Sequence, residues 1–240
     1  MEIRIDEVAD NIFRLSTYPE GSPVMFNQFV VRGDVSLLFH TGGRALFPLV
    51  SDAVARVVPL EQLHWITFGH VESDENGAMN HFLAAAPNAT VAHGELGCMV
   101  QVSDLADRPP RPLADGEVID LGGKRVRNIE TPHLPHGWDA HVMFEETTRT
   151  LLCGDLFTQL GPTAVTTTES LVESALQSED IGAPTTLTPT TGPRVRALAD
   201  LDPATLALMH GPTFLGDGAK ELVGLGDGYD AMFEAAVALR

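Results

Sequence analysis

The chain has 240 residues, and its 33 acidic against 15 basic side chains give a formal charge of -18 at pH 7. That length is enough to bury a substantial core, and that charge repels nucleic-acid phosphates and anionic membranes. Two cysteines without close spacing, Cys98 and Cys153, suggest neither a disulfide framework nor a thiolate zinc site and read as small buried hydrophobes.

The N-terminus, Met1-Glu2-Ile3-Arg4-Ile5-Asp6-Glu7, lacks the apolar segment of a signal peptide, and no apolar run reaches bilayer-spanning length. A soluble, cytoplasmic protein with no nucleic-acid or membrane partner is expected. Residues 3–5 and 12–16 read as short strands around a polar turn at Asp10-Asn11. Residues 26–32 and 35–40 are apolar strands joined by Gly33-Asp34, a hairpin signal. Over residues 45–58, Phe47, Val50, Val54 and Val57 share a helix face, and Pro59 ends the pattern. A strand at 63–69, a helix at 77–86 stopped near Pro87, and a strand at 90–92 follow. This order suits a layered α/β domain.

The Pro-rich stretch 108–112 is expected as an irregular surface loop joining two halves of one fold. Residues 117–121 and 124–130 form a hairpin through Gly122-Gly123, and residues 140–145 and 150–153 form another. Residues 161–193 are Thr-rich and punctuated by prolines, with a short helix at 170–177. They form either a wall of the functional site or a surface excursion. A helix at 194–200, a strand at 206–209 and a closing helix at 219–239, interrupted at Gly226-Asp227-Gly228, complete the chain.

Chemistry concentrates where the predicted strands end. The stretch Gly69-His70-Val71-Glu72-Ser73-Asp74-Glu75 follows the strand at 63–69. Alternate residues of an extended segment share a face, so His70, Glu72 and Asp74 can converge. Three later segments place a His or Asp just past an apolar strand: His133 and His136 within 131–139, Asp155 after Cys153-Gly154, and His210 after Met209. Singly, each also reads as a turn histidine, a helix cap or a loop residue. As an ordered set they describe a metal centre assembled from several loops.

This set resembles the metallo-β-lactamase superfamily, and within it the di-iron module of flavodiiron proteins and the stand-alone oxygen-binding di-iron proteins. The resemblance runs from the first strands to His210 and implies an αββα sandwich, one domain over residues 1–240. The superfamily's first motif is H-x-H-x-D-H, and that of the flavodiiron branch is H-x-E-x-D-H; Glu72 matches the branch. Eighteen residues lie between His136 and Asp155, and Asp139 follows His136 by three, both as in that branch. The resemblance implies that His70, Glu72 and His136 bind one metal, Asp74 and His210 a second, and that Asp155 bridges them. His133 is then a supporting or alternative ligand.

Two positions depart from the pattern. Glu75 stands where the family has a histidine. It is a replacement ligand, a base behind the ligands, or the mark of an open position on the second metal. His40 stands where the superfamily has an aspartate bracing the ligand loop, and it is read as supporting that loop rather than coordinating. His81 and His93 match no ligand and read as ordinary surface or helix histidines; His64 and His141 also lack a match. Trp138 is a pocket wall or a core aromatic.

Carboxylates and imidazoles suit Fe(II) and Mn(II), and Glu72 in place of histidine favours iron over zinc. Two ions about 3.5–4 Å apart bind a diatomic molecule or activate a water. The resemblance therefore implies a stand-alone di-iron protein that binds, and in its enzymatic version reduces, O2 or NO with electrons from a separate donor protein. Glu75 and His133 are its candidate proton donors. The alternatives are a Zn or Mn hydrolase of an ester, thioester or lactam, with Asp74 orienting a metal-bound hydroxide, and a non-catalytic O2 or ligand sensor. Flavodiiron proteins carry a flavodoxin-like FMN domain after the metal domain. Some thirty residues follow His210 here, so no FMN is expected in this chain. Relatives imply a homo-oligomer.

Overall fold

The computed structural model describes residues 2–239. Antiparallel strands β1 (Arg4–Ala9), β2 (Ile12–Thr17), β3 (Phe26–Val31) and β4 (Ser36–Phe39) begin a sheet. Strands β5 (Leu63–Thr67), β6 (Thr90–Gly94) and β7 (Arg111–Leu113) extend it in parallel. The crossovers between them hold α1 (Phe47–Val57), α2 (Ser73–Asn76), α3 (Met79–Ala85), α4 (Glu95–Gly97) and α5 (Ser103–Leu105). A second sheet contains β8 (Val118–Asp120), β9 (Arg125–Glu130), β10 (His141–Glu145), β11 (Thr150–Leu152), β12 (Thr166–Thr167), β13 (Thr205–Ala207) and β14 (Thr213–Leu215). Its spatial order is β12-β14-β13-β11-β10-β9-β8. Helices α6 (Val172–Gly182), α7 (Thr191–Leu198) and α8 (Gly218–Ala238) cover its outer face.

Strand alternation sorts the apolar residues into three layers of core. Phe29 and Val31 of β3, and Leu37 and Phe39 of β4, point between the sheets, where they meet Met143, Leu152 and Ala207. Their neighbours Val30 and Leu38 point outward onto Val50, Val54 and Phe82 of the first helical layer. In the second sheet Leu151 and Leu206 point outward onto Val195, Leu222 and Leu225. Central strands buried on both faces must be apolar throughout, and each such side chain contributes about 1.5–3 kcal/mol. The result is an αββα sandwich.

Three local expectations change. Residues 111–113 are a strand rather than loop, paired in parallel with Ala92–Gly94. Pro112 is tolerated because β7 is the edge strand, where a missing N–H breaks no ladder. The short helices between Glu95 and Leu105, and strands β12 and β14, carry no clear periodicity in so few residues. Helix α8 runs unbroken through Gly226-Asp227-Gly228. Its glycines serve packing: a Cβ on Gly226 would lie 2.9 Å from the Gly192 carbonyl of α7, and one on Gly228 would lie 2.5 Å from Leu176 of α6.

The β10–β11 turn is closed by Glu145, whose buried carboxylate accepts from Thr147 N and Thr148 N, both at 2.9 Å, and from both threonine hydroxyls. Burial opposes its charge, but these hydrogen bonds outweigh it and hold the carboxyl below the ordinary glutamate range. A lowered folded pKa gives stability that is full above the unfolded value, about 4.5, and lost as pH falls through the folded one. Urea melts at neutral pH are expected to show Glu145→Gln losing about 1–3 kcal/mol, a deficit that shrinks in acid. An equal deficit at both pH values would place the defect elsewhere.

Candidate metal centre

Parallel pairing of β4 with β5, and of β11 with β13, releases several chain segments at one edge of the sandwich. Backbone bonds between the sheets fix those segments. His141 N donates to Gly69 O at 2.8 Å, and Asn27 N donates to Met209 O at 3.0 Å. The Asn27 side chain adds bonds to the carbonyls of Leu208 and Gly211 at 2.8 and 2.9 Å.

Four side chains converge there: one donor atom each from His70, Glu72, His136 and Asp155 lies within 4.8 Å of the others. His70 Nε2 is 2.7 Å from Glu72 Oε2 and 2.9 Å from His136 Nε2, which is itself 2.8 Å from the same Glu72 oxygen. Asp155 Oδ2 lies 3.5 Å from His136 Nε2, while Oδ1 faces His210 Nε2 at 3.3 Å. His210 Nε2 is also 3.3 Å from Asp74 Oδ2. Asp155 thus turns one oxygen to each of two donor groups.

The spacing fits a metal. His70 Nε2 and His136 Nε2, 2.9 Å apart, both converge on the same Glu72 oxygen. Donors at right angles around one ion about 2.1 Å away lie about 3 Å apart. Asp74 Oδ1 and Asp155 Oδ1 are buried without an aligned hydrogen bond, as acceptors waiting for a cation are. The protonation of the group says the same. Burial opposes charge on His70, but Glu75, Glu72 and Asp155 outweigh it and push its pKa up to about 11. Burial likewise opposes charge on His210, and Asp155 and Asp74 push it up to about 10. Hydrogen bonds from His136 and His70 hold Glu72 well below the usual carboxylate range. Protons occupy an excess of negative charge that metal ions would neutralise, and an ion would displace them.

Strand β5 ends at Thr67, so the motif is not an alternating strand: Gly69–Val71 form a bend in which Glu72 N donates to His70 O at 3.0 Å. A helical turn starts at Ser73, so Asp74 swings to His210 and Glu75 swings inward. Glu75 is fully buried, 3.2 Å from Nδ1 of His70, the ring atom opposite the donor nitrogen. His133 is exposed and does not join the donors. His40 is fully buried behind Glu75.

His93 and His141 are not surface histidines. Both are buried, with His93 Nδ1 3.0 Å from His141 Nε2 and His93 Nε2 3.3 Å from Asp139 Oδ2. Asp139 accepts from Val71 N at 3.1 Å, so this chain of polar groups braces the loop between His70 and Glu72. Burial pushes His141 well below the ordinary histidine range, which keeps it neutral. The available signal was their position on strands β6 and β10 close to Asp139; their burial depends on pairing between distant segments. His64 and His81 lie away from the donors, and His81 packs on Phe47.

A cavity of about 340 Å³ opens on the donors, with His136, Asp155 and His210 on one side and Val24, Leu160, Ile181 and Pro184 on the other. The segment 161–193 is therefore a wall of the site. Trp138 lines a separate cavity of about 70 Å³.

The ODP family beta lactamase signature matches residues 24–180. The chain belongs to that family. Among solved structures, rubredoxin oxygen:oxidoreductase from Desulfovibrio gigas superposes on this ODP-family chain with a TM-score of 0.78 at 18% identity, covering 96% of this chain and 62% of that one. The Flv1 flavodiiron core from Synechocystis sp. PCC6803 gives 0.78 at 21% identity, covering 98% and 62%. These likenesses establish the metallo-β-lactamase-like sandwich. The coenzyme F420H2 oxidase of Methanothermobacter marburgensis is 28% identical over 142 residues, 56% of this chain and 35% of that protein. The matched stretch spans only 23% to 35% of the length of such curated relatives. Among the described residues, no helix is long and apolar enough to cross a membrane.

Removing the brace tests its part in the site. Asp139→Ala leaves Val71 N–H and a His93 nitrogen unpaired, and thermal melts are expected to show a loss of about 1–3 kcal/mol. Asp139→Asn, which keeps an acceptor for Val71, loses less. Equal losses would show that shape, not hydrogen bonding, holds the loop.

Proposed function

We propose that His70, Glu72 and His136 hold one metal ion, that Asp74 and His210 hold a second, and that Asp155 bridges them within one domain spanning residues 1–240. The observation that carries this reading is the convergence of donors on the two oxygens of Asp155. Glu72 is a hard donor and favours iron over zinc. The second position has three protein side chains around it and leaves room for a ligand.

From this set, and from relatives named as an oxygen:oxidoreductase and an oxidase, we infer a di-iron protein that binds O2 or NO and reduces it with electrons from a separate donor protein. Two iron ions, when bound, would relay those electrons and offer a coordination position to the gas. The chain's own residues do the rest. Asp155 fixes the spacing of the two positions, and His136 and His210 keep both on the cavity side. The apolar surfaces of Val24, Leu160 and Ile181 admit an uncharged gas more readily than an ion. His133, exposed and outside the donor group, is given no ligand role.

One observation favours the hydrolytic reading: about 340 Å³ is more room than a diatomic molecule fills. There Asp74, a quarter exposed, would orient a water toward an ester, thioester or lactam. Glu72 in place of an imidazole argues against zinc, and the oxidoreductase reading stands first.

Metal analysis followed by anaerobic reduction and O2 re-addition decides between them. Two iron ions per chain and an O2-dependent change in absorption are expected. Zinc as purified, with turnover of a thioester or lactone, would overturn the reading. Asp155→Ala is expected to lose both metals together, and retention of two would place the bridge elsewhere.

A further inference from the structure

A carboxylate lies behind the donor group and away from the cavity. Glu75 and His40 are both fully buried. Glu75 Oε2 accepts the backbone N–H of His70 at 2.7 Å. Its other oxygen, Oε1, sits between two imidazoles, 3.2 Å from His70 Nδ1 and 3.5 Å from His40 Nε2. Neither Oε1 nor His40 Nε2 has an aligned hydrogen-bond partner. The main chain clamps the three residues together: Thr41 N and Oγ1 donate to Glu75 O at 2.6 and 3.0 Å, and His40 N donates to Thr67 O at 2.8 Å. His40 has φ 68, a left-handed conformation that a non-glycine residue holds only where its surroundings impose it.

A buried carboxylate oxygen without a partner is costly, so the placement calls for a reason. The two nitrogens of an imidazole lie on opposite sides of the ring. An acceptor at Nδ1 commits the ring proton there and leaves the lone pair on Nε2. Nε2 is the His70 atom that faces Glu72 and His136. We propose that Glu75 is a positioning residue and not a ligand. Its Oε1 accepts a hydrogen bond from His70 Nδ1–H and so leaves the Nε2 lone pair for the first metal position, while His40 closes the other side of that oxygen. The proposal rests on the metal reading above and adds what sets the orientation of its central histidine.

The test titrates Fe2+ anaerobically into metal-free protein against a coloured chelator, for wild type, Glu75→Gln and His40→Gln, and repeats the loading with Co2+ to read its ligand-field bands. Glu75→Gln keeps the shape of the side chain. It is expected to weaken the tightest Fe2+ site roughly 10–100-fold and to shift the Co2+ bands. His40→Gln is expected to weaken binding in the same direction by less. Wild-type affinity with unchanged bands in Glu75→Gln would overturn the proposal. If that variant fails to fold, the wild type decides. Loaded with Zn2+, it should show the His70 ring proton on Nδ1 in 1H–15N spectra, and a proton on Nε2 would overturn the proposal. Failure of the metal reading itself looks different: wild type then binds no Fe2+. In that case a protected Nδ1–H of His70 in the metal-free protein supports the contact with Glu75, and its absence refutes it.

Discussion

Negative charge gathered at one edge of the sandwich is the constraint on which the rest depends. Glu72, Asp74, Glu75 and Asp155 crowd around three imidazoles. Unit charges about 4 Å apart near a protein surface interact with about 4 kcal/mol, so such a group cannot be assembled from mobile loops at no cost. The fold meets the cost with fixed backbone and with protons on His70 and His210. A cation bound there would compete with those protons.

Preorganisation comes from both sheets acting on each other. The His141-to-Gly69 and Asn27-to-Met209 backbone bonds cross between them and pin the ends of β5 and β13. Behind those bonds, two buried polar chains brace the first motif from opposite sides. Asp139, His93 and His141 hold the backbone at Val71, and Glu75 with His40 faces the back of the His70 ring. Side chains braced by hydrogen bonds and packing from behind are preorganised.

Much of this was legible in the chain itself, wherever the signal was local. The order of apolar strands and helices suited a layered α/β domain, and a histidine or acid directly after an apolar run marked His70, Asp155 and His210. The failures are equally physical. The strand stops at Thr67 and a helical turn starts at Ser73, so the alternation expected to align Asp74 with His70 does not form. The Pro-rich residues before Leu113 read as a loop, because an edge strand is defined by its neighbour and not by its own composition. His93 read as ordinary and His141 as unmatched, because burial is decided by segments far away in sequence. The glycines of α8 read as breaks, when close helix contact was their purpose.

Those glycines reach the site through α6. Gly224 and Gly228 receive Val172 and Leu176 of α6, and the next turns of that helix carry Ser178, Glu179 and Ile181 onto the cavity wall. The helix is seated like a beam in two notches, and the depth of the notches sets how far the wall stands from His136 and His210. A methyl group at position 228 would act as a shim, tilting the beam and resizing the chamber without altering one donor atom.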